Sequence, residues 1–163
     1  PGALMIQQAN GSFVSTNIPL FAADANCEDV DAVFFDADGN GTKDLLVVSG
    51  GNQIPTKSSD LADRLYINDG KGNFTKKENA FSIQYENKSC AAVADVDKDG
   101  DMDFFLGNLA SPTAFGIPKN SYLYLNKGDA TFSVTGSPVI ELSFLGNVTA
   151  ASFADVNKDG WDD

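Results

Sequence analysis

One nine-residue pattern, written three times, limits what this chain of 163 residues can fold into. Its densest copy is Asp95-Val96-Asp97-Lys98-Asp99-Gly100-Asp101-Met102-Asp103, which leads straight into Phe104-Phe105-Leu106. Carboxylates packed this closely repel one another, so a cation must offset them before they can be drawn together. Calcium suits that task, because it takes about six to eight oxygen ligands at roughly 2.3–2.6 Å with tolerant geometry. Alternate residues of a tight loop turn inward, so Asp95, Asp97, Asp99 and Asp103 can converge on one ion. Gly100 permits the sharp turn that a Cβ would obstruct.

The same spacing places Asp36, Asp38, Asn40, Gly41 and Asp44 in a first loop, and Asp155, Asn157, Asp159, Gly160 and Asp163 in a third. A single such loop reads as a solvated acidic turn. Three copies, starting at positions 36, 95 and 155, point to a repeated metal loop instead. An EF-hand needs a bidentate Glu at its twelfth position. Counted from Asp36 or Asp95, that position holds Val47 or Leu106, so this is a different loop. Short apolar runs lie on both sides: Val33-Phe34-Phe35 before and Leu45-Leu46-Val47-Val48 after, and their counterparts around the other loops. They are short and rich in β-branched and aromatic residues, so each loop joins two buried strands.

A second element recurs between the loops. Leu65-Tyr66-Ile67-Asn68-Asp69-Gly70-Lys71-Gly72-Asn73-Phe74-Thr75 matches Leu123 to Ser133, and also Leu4 to Val14. Asn-Asp-Gly and Asn-Gly supply the positive-φ residues that hairpins want. The unit is therefore strand A, acidic loop, strand B, a long connection, strand C, a glycine turn and strand D. A four-stranded unit of this period is a propeller blade. The expected fold is all-β: four-stranded antiparallel blades of a partial propeller, about two and a half of them.

The whole of 1–163 reads as one domain, with units at about 1–26 (a C–D hairpin), 27–86, 87–146 and 147–163. Strands A to D are expected near 30–35, 45–49, 64–68 and 73–77, then 89–94, 104–108, 121–125 and 131–135, with a further A strand over 148–154. No segment has helical periodicity of useful length. Phe104 and Phe105 read as core between stacked sheets rather than as a binding stripe. Antiparallel blades put the acidic loops on one face. The B–C connections (about 50–63 and 109–120) and D–A connections (about 78–88 and 136–147) lie on the other. The long B–C connections are either a binding surface or plain linkage.

Composition narrows function. The formal net charge is −12, and 12 of the 23 acidic residues lie in the three loops. Such acidity argues against nucleic-acid partners, which require basic patches. No apolar run approaches the roughly 18 residues of a membrane-spanning helix, so membrane insertion is not expected. The absence of histidine removes Ser-His-Asp and Cys-His catalysis and histidine-ligated zinc. Cys27 and Cys90 could be bonded in an oxidising compartment or be two separate small thiols. The chain starts at Pro1 and stops at the last ligand position of loop three, as expected of a fragment of a longer protein.

These motifs resemble the FG-GAP/VCBS repeat family, the calcium-bearing propeller repeats also present in integrin α chains. The likeness rests on D-x-D-x-[DN]-G-x-x-D before an apolar strand and on the L-Y-[IL]-N-x-G…F-[TS] hairpin. It implies up to three Ca²⁺ sites with a structural role. Carried over by position, the ligands would be Asp36, Asp38, Asn40 and Asp44; Asp95, Asp97, Asp99 and Asp103; and Asp155, Asn157, Asp159 and Asp163. Thr42, Asp101 and Trp161 would offer backbone carbonyls at the seventh positions. The resemblance also implies an exported scaffold (secreted, periplasmic or cell-surface) that recognises a protein or glycan, with its remaining blades coming from further chain or other copies. It departs from the pattern at Asn40 and Asn157, where a charge is lost. The rival reading is a fragment of a propeller-type polysaccharide lyase or hydrolase. Outside the loops its best acids would be Glu28, Asp29 and Asp31, for which a solvated turn is the simpler account.

Overall fold

The computed structural model describes residues 2–16, 18–51, 58–82, 85–111, 114–134, 142 and 145–163. An N-terminal hairpin pairs β1 (Leu4–Gln7) with β2 (Phe13–Thr16) around Gly11, whose φ is +84°. A five-residue helix, α1 (Pro19–Ala23), follows. The next four strands form one antiparallel sheet in chain order: β3 (Asp29–Phe35), β4 (Asp44–Ser49), β5 (Arg64–Asn68) and β6 (Phe74–Lys76). The second sheet repeats it with β7 (Lys88–Ala94), β8 (Asp103–Asn108), β11 (Tyr122–Asn126) and β12 (Phe132–Val134). Its B–C connection carries a small hairpin of its own, β9 (Ala110–Ser111) with β10 (Ala114–Pro118). The molecule is all-β apart from short helical turns, and its two blades make a partial propeller.

The blades agree in detail. Phe35 faces Asp44 across the first A–B pair, and Ala94 faces Asp103 across the second. Both A strands shift register at the same place, between Asp29 and Asp31 and between Lys88 and Cys90. Such a bulge re-aims the side chains beside it.

Alternation then decides the core. Phe35, Leu46, Val48 and Leu65 leave the first sheet toward the second, which answers with Ala91, Phe104, Leu106, Tyr124 and Phe132. Phe104 stacks on Tyr124 at 4.6 Å between ring centres, and Phe35 meets Phe132 edge-on at 6.2 Å. Phe104 is thus core between the sheets, as its pattern predicts, and Phe105 is buried as well but stands outside that cluster. The opposite face of the first sheet packs Leu45, Val47 and Tyr66 against Phe21 of α1, which explains why a single helical turn forms there.

Charge crosses the seam as well. Lys88 of β7 is fully buried, contacts the carbonyl of Leu61 and lies 3.3 Å from Asp63. Asp31 accepts from the backbone N–H of Ala91 at 2.8 Å. Arg64 pairs with Asp29. Asp29 and Asp31, both within β3, are therefore taken up by neighbours rather than gathered into a second polar site. Cys27 and Cys90 are free thiols, half-buried and buried.

Two expectations need correcting. Residues 148–154 form no strand, although Ala154 and Asp163 exchange both backbone hydrogen bonds, at 3.3 and 3.0 Å. That exchange repeats the Phe35–Asp44 rung, and the N–H of Val148 instead donates to the carbonyl of Asn108 in β8 at 2.9 Å. The B–C connection of the second blade contains β9 and β10, whose two-residue and five-residue lengths give no periodic signal. Of the expected connections, B–C positions 52–57 and 112–113 and D–A positions 83–84, 136–141 and 143–144 lie outside the described residues, as does position 135 at the end of the expected strand D.

Candidate metal centre

All three acidic loops share one internal scaffold. The N–H of the sixth-position glycine donates to the first-position Asp: Gly41 to Asp36 (2.8 Å), Gly100 to Asp95 (3.1 Å) and Gly160 to Asp155 (2.9 Å). The fifth-position N–H donates to the third-position side chain: Asn40 to Asp38, Asp99 to Asp97 and Asp159 to Asn157. The seventh-position N–H donates to the fifth-position side chain: Thr42 to Asn40, Asp101 to Asp99 and Trp161 to Asp159. The second-position N–H donates to the ninth: Ala37 to Asp44, Val96 to Asp103 and Val156 to Asp163. The glycines that close these turns have φ of +84°, +99° and +84°. Each loop thus aims its first, third and fifth side chains inward by hydrogen-bonding their inner oxygens to its own backbone.

The outcome differs between loops. Oxygens of Asp36, Asp38 and Asp44 lie within 4.8 Å of one another, and so do those of Asp95, Asp97 and Asp99. Among the described residues, loop three brings no three carboxylates this close, and Asn157 stands at its third position. Asp95 Oδ1 is buried with no hydrogen-bond partner. An orphaned carboxylate oxygen in an acidic cluster is the place a hard cation would fill. Asn40 adds a neutral carbonyl to loop one, and the Thr42 hydroxyl sits 2.6 Å from its Oδ1 and 2.9 Å from the carbonyl of Asn68. Asp101 is half-buried against Gly128 of the facing C–D turn, so its carboxylate lies outside the cluster.

Position nine has a second task that its spacing did not reveal. Asp44 and Asp103 begin strands β4 and β8 and are fully buried. Asp44 also accepts from the N–H of Asn68 at 2.8 Å, and Asp103 from that of Asn126 at 2.8 Å. Each therefore ties its A–B loop to the start of the C–D turn. Burial pushes both carboxyls up; the two backbone donors pull them down, and the neighbouring loop carboxylates push them up again. A cation beside Asp44 would favour its charged form.

The family model for the FG-GAP-like repeat matches residues 36–106, from the first ligand position of loop one into β8. This stretch is similar to the FG-GAP-like repeat family. No curated protein and no solved structure gives a significant match. The matched stretch includes both loops whose carboxylates cluster and the whole first blade after β3. Asn68 and Asn126 complete the arrangement around it, yet neither was singled out as functional. The signal available was their shared place in the L-Y-[IL]-N hairpin motif.

The repeat separates two kinds of aspartate. Replacing Asp103 by Ala leaves the buried N–H of Asn126 and the part-buried N–H of Val96 without their acceptor, at about 1–3 kcal/mol for the buried one and less for the other. We expect Asp103→Ala to lose about 3 kcal/mol in urea unfolding even in chelator, whereas Asp99→Ala, on the exposed rim, loses stability only when calcium is present.

Proposed function

We propose that this chain is a calcium-stabilised propeller scaffold, located outside the cytoplasm, that presents a non-catalytic surface to a protein or glycan. The observation that carries the metal assignment is the buried, partnerless Asp95 Oδ1 inside a loop scaffold repeated three times. Hard oxygen donors alone, with neither thiolate nor imidazole, favour calcium over transition metals. Asp36, Asp38, Asn40 and Asp44 would hold one ion. Asp95, Asp97 and Asp99 would hold a second, with Asp103 beside them. Asp155, Asn157, Asp159 and Asp163 would hold a third and weaker one. The ion offsets two of the negative charges of each loop and fixes the A–B hairpin.

The recognition surface is assigned to the B–C and D–A face. Its support is the added hairpin β9–β10, which exposes Ile117, and the exposed Tyr85. A scaffold role fits the state of the acids outside the loops. Asp29 is held by Arg64, Asp31 by two backbone N–H groups, and Asp63 by Lys88 and Ser49. Among the described residues no helix is long and apolar enough to cross a membrane.

Trp161, the single tryptophan, occupies position seven of loop three. Terbium bound there should emit when the indole is excited, and added calcium should quench that emission by displacement. Calcium calorimetry on the same protein should report loops one and two. Absence of both sensitised emission and calcium heat would overturn the assignment.

A further inference from the structure

Loops one and two belong to different blades, yet one amide side chain joins them. Asn126 Nδ2 donates to the carbonyl of Ala37 in loop one at 2.9 Å and to that of Met102 in loop two at 3.1 Å. The N–H of Asn126 donates to Asp103, and the N–H of Ala37 donates to Asp44. A continuous path therefore runs from Asp44 through the peptide of Ala37 and both donors of Asn126 to Asp103. Every residue on it is buried: Asp44 0%, Ala37 1%, Asn126 6% and Asp103 1% exposed. The equivalent Asn68 makes the bonds within its own blade, to Asp44 and to Lys43.

We propose that Asn126 is a positioning residue that couples the two metal loops, so that an ion in either one raises the affinity of the other. The inference rests on the calcium assignment above. Its physical basis is shared ordering. The backbone of Ala37 is held at its N–H by Asp44 and at its carbonyl by Asn126, so the two peptide groups that flank it are both fixed, and the second leads directly into Asp38. Asn126 is itself fixed by Asp103. An ion that orders loop two thus orders the segment from which loop one's third-position ligand projects, and the second ion has less freedom left to remove. Reciprocity is required, because coupling between binding sites is the same in both directions. Burial keeps water from replacing the amide.

The test is a calcium cycle by calorimetry in a background with loop three disabled by Asp155→Ala and Asp159→Ala. Loop two is removed by Asp97→Ala with Asp99→Ala, and loop one by Asp36→Ala with Asp38→Ala. The overall two-site constant, divided by the product of the single-loop constants, gives the coupling factor. We expect about fivefold or more, the lower end of common allosteric couplings. Asn126→Ala should bring that factor to one, while Asn68→Ala should weaken loop one and leave the factor in place. A factor of one in the parent background overturns the proposal, and this measurement stands even if Asn126→Ala does not fold. Persistence of the factor in a folded Asn126→Ala protein also overturns it. Silence of every titration would instead remove the calcium assignment and the coupling with it.

Discussion

A chelator should lower the thermal midpoint of this protein by about 5–10 °C for each calcium site it empties. An ion present at about a hundred times its Kd adds roughly 2.7 kcal/mol to the folded state. For a domain of this size each kcal/mol moves the midpoint by about 2–4 °C. Net stability is typically about 5–15 kcal/mol, so two or three such sites are a large share of it. The effect should not divide evenly. Loops one and two gather three carboxylates each, and loop two holds the partnerless Asp95 Oδ1. Disabling loop two should therefore remove more of the chelator response than disabling loop three. Equal melting curves with and without chelator, across the calcium range, would end the structural role assigned to the metal.

Lys88→Met should cost about 3–5 kcal/mol at neutral pH, as removal of one partner from a buried ion pair does. Lys88 and Asp63 are both sealed from solvent at the seam between blades. Burial pushes the Asp63 carboxyl up to about 6, with the Lys88 ammonium and the Ser49 N–H pulling it back. Burial likewise pushes Lys88 down, with Asp63 holding it up. Without the lysine, Asp63 must either stay charged in an apolar seam or take up a proton. A folded-state carboxyl raised above its unfolded value contributes stability that is present below the unfolded pKa and lost as pH rises through the folded one. Without the pull of Lys88 the carboxyl of the variant takes up its proton at a pH above the parent's value of about 6. The penalty of Lys88→Met should therefore be largest on the alkaline side and shrink as the pH falls to about 6, where the parent carboxyl is protonated as well. Urea unfolding of variant and parent at both ends of that window would measure it. A penalty that does not change with pH would show that Asp63 never carries the charge.

What could be read from the sequence were the features whose signal is local. The loops announce themselves because alternate ligands and a turn glycine sit within nine residues. Strands A to D follow from short apolar runs, and β5 falls at 64–68 as the pattern requires. Lys88 shows the limit. In Glu86-Asn87-Lys88-Ser89 it reads as surface, and only the approach of Asp63 from the neighbouring blade makes it core. Position nine reads in the sequence as a ligand alone, because its bonds to Asn68 and Asn126 join residues 24 and 23 positions apart. Helix α1 was missed since a single turn has no period to detect; it exists because Phe21 fills the space against Tyr66.

The half-buried thiol of Cys27 bears on where such a protein can survive. Burial and the carboxylates of Asp24, Asp29 and Asp60 push its pKa up, against the pull of Arg64. Only the thiolate attacks disulfides and peroxides with any speed. Kept protonated, Cys27 is a poor nucleophile at neutral pH. An oxidising exterior therefore finds little to react with, and the chain can carry an unpaired sulfur there without becoming cross-linked to its neighbours.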